Sequence, residues 1–147
     1  MRRLTPICPI AILLLGALVA HARFDSIINE YRGIFIGSDR SAVHEKLGNP
    51  KNEYTGEDGF ELSDNEAVRV FYDDAKKVKA IVVTYSGKID TAPKPNDVVG
   101  EAVEARPDGG MYKMVRVEAK GFWVSYVKIT GDNPTVIITV QSLPKSA

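Results

Sequence analysis

The hydrophobic positions fall into two periodic regimes along the chain. In the first third the spacing is helical. Phe24, Ile27, Ile28 and Tyr31 stand at i, i+3, i+4 and i+7, and Gly33 follows, which predicts a short amphipathic helix over 23–32 with a glycine stop. After Ile34-Phe35-Ile36 comes the stretch IGSDRSAVHEKLGNP. Ser38 is a candidate N-cap, Asp39 complements the dipole of the first turn, Gly48 suits a left-handed C-cap, and Pro50 forbids continuation. Those four signals predict a second helix over 39–47.

From Ala67 onward the period changes to that of strands. Ala67 to Asp73 and Val78 to Tyr85 are rich in β-branched and aromatic residues, and the polar DDAKK between them predicts a hairpin. Met111 to Glu118, Phe122 to Ile129 and Thr135 to Gln141 read as three more strands, separated by Lys120-Gly121 and Gly131-Asp132-Asn133-Pro134. GKIDTAPKPND, with two prolines, reads as a connector over 87–98. DVVGEAVEA after it reads as a short helix, against which its valines argue. Val68–Tyr85 aligns with Trp123–Val140 without a gap, which suggests a tandem repeat, although any two hairpins share such a pattern. The expected fold class is α+β: two short N-terminal helices packed on an antiparallel sheet, with two tandem α/βββ repeats as an option.

The segment ahead of Arg23 bears on compartment. Arg2 and Arg3 precede an apolar run from Ile7 to Ala20, and Ala20-His21-Ala22 supplies small residues where a signal peptidase reads. This predicts a signal peptide over 1–22, cut after Ala22, for a periplasmic or secreted protein. The alternative is an uncleaved anchor, which the run is short for, since a span takes roughly 18 residues. No lipid anchor is expected, because Cys8 follows Thr5-Pro6-Ile7 near the start of the run. The remaining domain, 23–147, divides into 23–86, the connector 87–98 and a three-stranded half over 99–147.

Composition narrows the chemistry. Removing the signal segment takes away Arg2 and Arg3, so 19 basic against 19 acidic becomes 17 against 19, with no cysteine and only His44 left as a histidine. A near-neutral domain of interspersed signs has no footprint for nucleic acid or an anionic membrane. Zinc sets and Cys-His dyads cannot be assembled, so no metal or cofactor is expected. On its predicted helix His44 lies at the edge of the Val43/Leu47 stripe, with no carboxylate at i±3 or i±4 to orient it. It reads as a bystander, and a small hydrolase built on it is the remote alternative. The carboxylate pairs Glu57-Asp58, Asp64-Glu66 and Asp73-Asp74 sit in turn-like segments.

Residues over 24–86 carry a resemblance. Gly37, Ser38, Val43, Leu47, Gly48 and Pro50, then Tyr72, Asp73, Lys77, Val78 and Ile81, resemble the SmpA/OmlA (BamE-like) domain. The resemblance implies two helices on a three-stranded antiparallel sheet. It also implies a non-enzymatic cell-envelope protein that supports outer-membrane assembly by binding another protein. The further chain beyond 86, with its three additional strands, makes the layout similar to the tandem β-lactamase inhibitory proteins, which use an open sheet face, so an enzyme inhibitor is the alternative function. In GFWVSYVKI, alternation puts Phe122, Val124 and Tyr126 on one face and Trp123, Ser125 and Val127 on the other. One of these faces packs on helices and the other stays open, and Tyr112, Trp123 and Tyr126 are the candidate partner-binding residues.

Overall fold

The computed structural model describes residues 27–144, and the strand period dominates it. Among the described residues nine strands and two α-helices follow in chain order. They are β1 (Glu30–Tyr31), β2 (Ile34–Phe35), α1 (Arg40–Leu47), β3 (Asn52–Tyr54), β4 (Glu57–Ser63), β5 (Glu66–Tyr72), β6 (Val78–Ser86), α2 (Pro95–Val99), β7 (Met111–Val117), β8 (Phe122–Ile129) and β9 (Thr135–Ser142). Seven of the strands form one antiparallel sheet in the order β3-β4-β5-β6-β9-β8-β7, and β1 and β2 make a separate ribbon. The expected α+β class, a pair of N-terminal helices packed on a sheet, is therefore overturned: the described residues are mostly antiparallel sheet. Cover on the sheet is one eight-residue helix, a five-residue helical turn and extended chain.

The first predicted helix fails for a local reason. Its positions 23–26 lie outside the described residues. Ile27 forms an isolated bridge to Val99, and Glu30–Tyr31 is extended. Arg32 and Gly33 both have positive φ, 49° and 77°, the geometry of a two-residue hairpin turn. The glycine that reads as a helix stop is half of that turn. The apparent i, i+3, i+4, i+7 stripe is broken up: Ile27 joins the core, while the Tyr31 hydroxyl donates to Glu66 Oε1 at 2.5 Å.

The second predicted helix forms as α1. Its N-cap is Asp39 rather than Ser38, and the Asp39 side chain caps nothing: it accepts from Lys77 Nζ at 2.7 Å. Ser38 Oγ instead accepts from the Phe35 backbone N–H at 3.1 Å. At the far end Gly48 takes φ 84° and ψ −159°, a region open almost only to glycine. A Cβ there would meet nothing within 4 Å, so the penalty of replacement lies in the backbone alone. Gly48→Ala should lower the unfolding free energy by about 1–3 kcal/mol, read from urea melts.

Strands β5 to β9 coincide with the five predicted runs to within a residue or two. β3 and β4 are not expected from the sequence, where the pair Glu57-Asp58 reads as part of a turn-like segment. Yet Asp58 and Phe60 alternate inward on β4 as strand residues do. The helix expected at 97–105 is α2, which starts two residues earlier on Pro95 and stops at Gly100, φ 72°.

Two three-stranded meanders, β4-β5-β6 and β7-β8-β9, meet through their last strands. Val83 of β6 stands directly opposite Ile138 of β9, and these two positions also match in the gapless alignment of the hairpins. One strand out, the match no longer holds. Val68 pairs with Val83, and Tyr126 pairs with Ile138, so the spatial counterpart of Val68 is Tyr126, three positions beyond Trp123.

Inward residues of one parity, among them Phe60, Val70, Ile81, Val83, Val124 and Ile138, form a single apolar cluster with Val43 of α1, Val98 and Val99 of α2, and Ile27 and Ile34. Both helices and the ribbon segment thus cover one face of the sheet. The other face carries no described helix.

Candidate functional site

Two places concentrate chemistry. The first lies under α1. Arg40 and His44, four residues apart, stand one above the other on the helix and reach the same carboxylate on β4. Asp58 is fully buried. Arg40 donates to it twice, Nε to Oδ2 at 2.9 Å and Nη2 to Oδ1 at 2.5 Å. His44 Nε2 lies 2.7 Å from Oδ2, and the Tyr72 hydroxyl of β5 donates to Oδ2 at 2.8 Å. Arg40 Nη2 also reaches Glu53 Oε1 and the Tyr54 carbonyl, each at 3.1 Å.

Burial alone would raise the Asp58 pKa. The hydrogen bonds from Arg40, His44 and Tyr72, with the charge of Arg40, outweigh it and hold the carboxyl below its ordinary range. The Tyr72 hydroxyl is pushed well above the usual phenol range, first by burial and then by its bond to Asp58.

The histidine is therefore oriented by an acid, contrary to the sequence-based expectation that it has none. The partner is not at i±3 or i±4; it comes from β4, a strand the alternation at 58–62 could have revealed. Hydrolytic use still lacks support. Among the described residues no serine or threonine hydroxyl hydrogen-bonds His44, so no side-chain nucleophile is paired with it. His44, Glu53 and Asp58 bring three potential ligand atoms within 4.8 Å of one another, but the Arg40 guanidinium bonds both carboxylates and fills the place a cation would take. As built, the cluster clips α1 to β4 and β5.

The second place is the uncovered face. Register places its residues in rows across the sheet. Phe71, Ala80, Gln141, Trp123 and Arg116 form one row; Arg69, Val82, Thr139, Ser125 and Met114 form the next; Ala67, Thr84, Ile137, Val127 and Tyr112 form the third. Tyr112 is 53% exposed, Met114 44% and Ile129 50%, and Trp123, Val127, Ile137 and Phe71 are half-buried. Cations on this face are partnered: Arg69 with Glu57 at 2.6 Å and Arg116 with Glu118 at 2.9 Å.

Of the three candidate partner-binding residues, Tyr112 and Trp123 lie on this face. Tyr126 does not. It is 3% exposed, on the helix-covered side opposite Ile138, and strand alternation requires this, since it is an odd number of residues from Trp123. Met114, Phe71 and Ile137, not singled out from sequence, share the face by the same alternation.

The class this architecture defines is a seven-stranded antiparallel sheet which, among the described residues, is covered by helices on one side only. No protein-family model matches the chain, and no curated protein does. Among solved structures the chain is similar to a DUF4309 family protein, YjgB, from Bacillus subtilis subsp. subtilis str. 168, at 13% identity and a TM-score of 0.53, over 83% of this chain and 91% of that one. At that identity the likeness concerns the fold alone.

Proposed function

We propose that the chain is an exported, non-enzymatic cell-envelope protein that binds a folded protein partner through the uncovered face of its sheet. The observation that carries this reading is the band of exposed and half-buried apolar side chains around Trp123, Tyr112 and Met114, on a face no described helix covers. Large aromatic anchors in such a setting supply most of the binding energy of a protein interface. Because Arg69 and Arg116 are already paired, the face favours an apolar protein surface over a nucleic acid or an anionic membrane. The signal-like N-terminus supports export, and the Gly37-to-Pro50 frame supports the envelope-assembly class that its resemblance implies.

The test uses residues 23–147 immobilised against envelope extract, with a Trp123→Asp variant in parallel. A single envelope protein should be retained by the wild type, with its affinity reduced about 30-fold or more in the variant, as for an interface hot spot. His44→Ala should bind as the wild type does. Retention indifferent to Trp123, or no retained protein, overturns the reading; a retained enzyme whose activity falls would move it to the inhibitor class.

A further inference from the structure

Beyond the face lies an edge. The seven-stranded sheet ends on one side in β3, only three residues long, and on the other in β7, seven residues long. Nature blunts such edges with short strands, prolines, bulges or charged side chains, lysine above all and inward-pointing charges included. β3 meets the first of these. β7 has neither proline nor bulge: its register with β8 runs unbroken from Met111↔Lys128 to Val117↔Phe122, and its one inward-facing charge, Lys113 opposite Tyr126, is the only inward-pointing device it carries. Among the described residues no backbone group outside β8 hydrogen-bonds to it. Its two charges are compensated within the chain, Lys113 by Glu101 at 2.9 Å and Arg116 by Glu118 at 2.9 Å, so neither stands as a lone repelling charge. Two of the exposed large hydrophobic residues, Tyr112 and Met114, are on this one strand.

We infer that β7 pairs antiparallel with β7 of a second copy, joining two sheets into one. The occupant follows from side-chain complementarity. A two-fold axis perpendicular to the sheet keeps both uncovered faces on the same side, and such an axis must pass between the two copies of one residue. Centred on Met114, it sets Met114 against Met114, Tyr112 against Arg116, Lys113 against Val115, and Met111 against Val117. Tyr112 and Arg116 then make a cross-strand cation–π pair on each side of the axis. Centred on Lys113, it would oppose two like charges. Centred on Val115, it would set Arg116 against Met114 and lose the tyrosine contact. The strand is self-complementary in one register. The dimer would present a doubled uncovered face, with Trp123 of each copy one strand in from the seam.

The test is the association state of residues 23–147 by sedimentation equilibrium from micromolar to several hundred micromolar. A monomer–dimer equilibrium is expected. Met114→Lys, which sets two ammonium groups against each other at the seam, should shift its midpoint upward by about tenfold while leaving the melting temperature of this exposed position unchanged. Residues 23–147 contain no cysteine, so Met114→Cys should oxidise to a covalent dimer, and Lys79→Cys, exposed on β6 away from the edge, should not. A protein that stays monomeric throughout, a dimer indifferent to Met114→Lys, or equal crosslinking of the two cysteine variants overturns the inference. None of these readouts depends on the envelope partner, so its failure and that of the proposed function are distinguishable.

Discussion

Arg40→Ala should lower the unfolding free energy at pH 7 by about 3 kcal/mol, the lower end of the range for breaking a buried ion pair by removing one member. The loss is large because Asp58 stays behind, fully buried, with its double-bonded partner gone. It stays at the lower end because His44 and Tyr72 still hydrogen-bond the carboxylate. Tyr72→Phe, which removes one bond of the four, should cost about 1 kcal/mol. The pH dependence has a definite sign. Asp58 has its pKa lowered in the fold, so the native state binds its proton less readily than the unfolded chain does. Its contribution is full above the unfolded-state value of about 3.9 and is lost as pH falls through the folded-state value. Asp58→Asn should remove this part of the acid limb. Urea melts at pH 7 and pH 3 check it: the variant's deficit relative to wild type must shrink at the lower pH, and a deficit that stays constant would exclude the clip.

The same cluster shows what a chain pattern can and cannot reveal. Strands β5 to β9 announce themselves through consecutive β-branched and aromatic residues, where local preference and burial agree. β4 hides because one of its inward positions is a charge. Asp58 stands where an apolar residue would have completed the alternation with Phe60, and its partners are Arg40, 18 residues away, and His44 and Tyr72, 14 residues away on either side. Spacing along one helix could not find an acid supplied by a strand. The N-terminal error runs the other way: Phe24, Ile27, Ile28 and Tyr31 have helical spacing, but four positions in a short segment carry little information, and tertiary pairing of Ile27 with Val99 decides the outcome. On the uncovered face, alternation correctly separates Trp123 from Tyr126. Which side faces out is settled by the helices' contacts across the whole sheet.

Ile138→Ala should be as damaging as any single truncation in the core, at about 2–5 kcal/mol. Ile138 is 4% exposed and stands opposite Val83, where the two meanders join. Its neighbour on the other side is Tyr126, and beyond Val83 comes Val68, so a cavity there opens in the row that spans both halves. Helix α1 covers one half and α2 contacts β7 and β8 of the other, yet Val43, Val98 and the central strands belong to one apolar cluster. Unfolding should therefore be a single transition, in the variant as in the wild type. Trp123, the one tryptophan, reports on the C-terminal meander, while far-UV circular dichroism averages over all strands. Coincident midpoints by the two probes, both shifted by Ile138→Ala, are the expected result. If the tryptophan signal moved alone, the halves would be melting independently across the β6–β9 seam, and the sheet would be two units in contact instead of one.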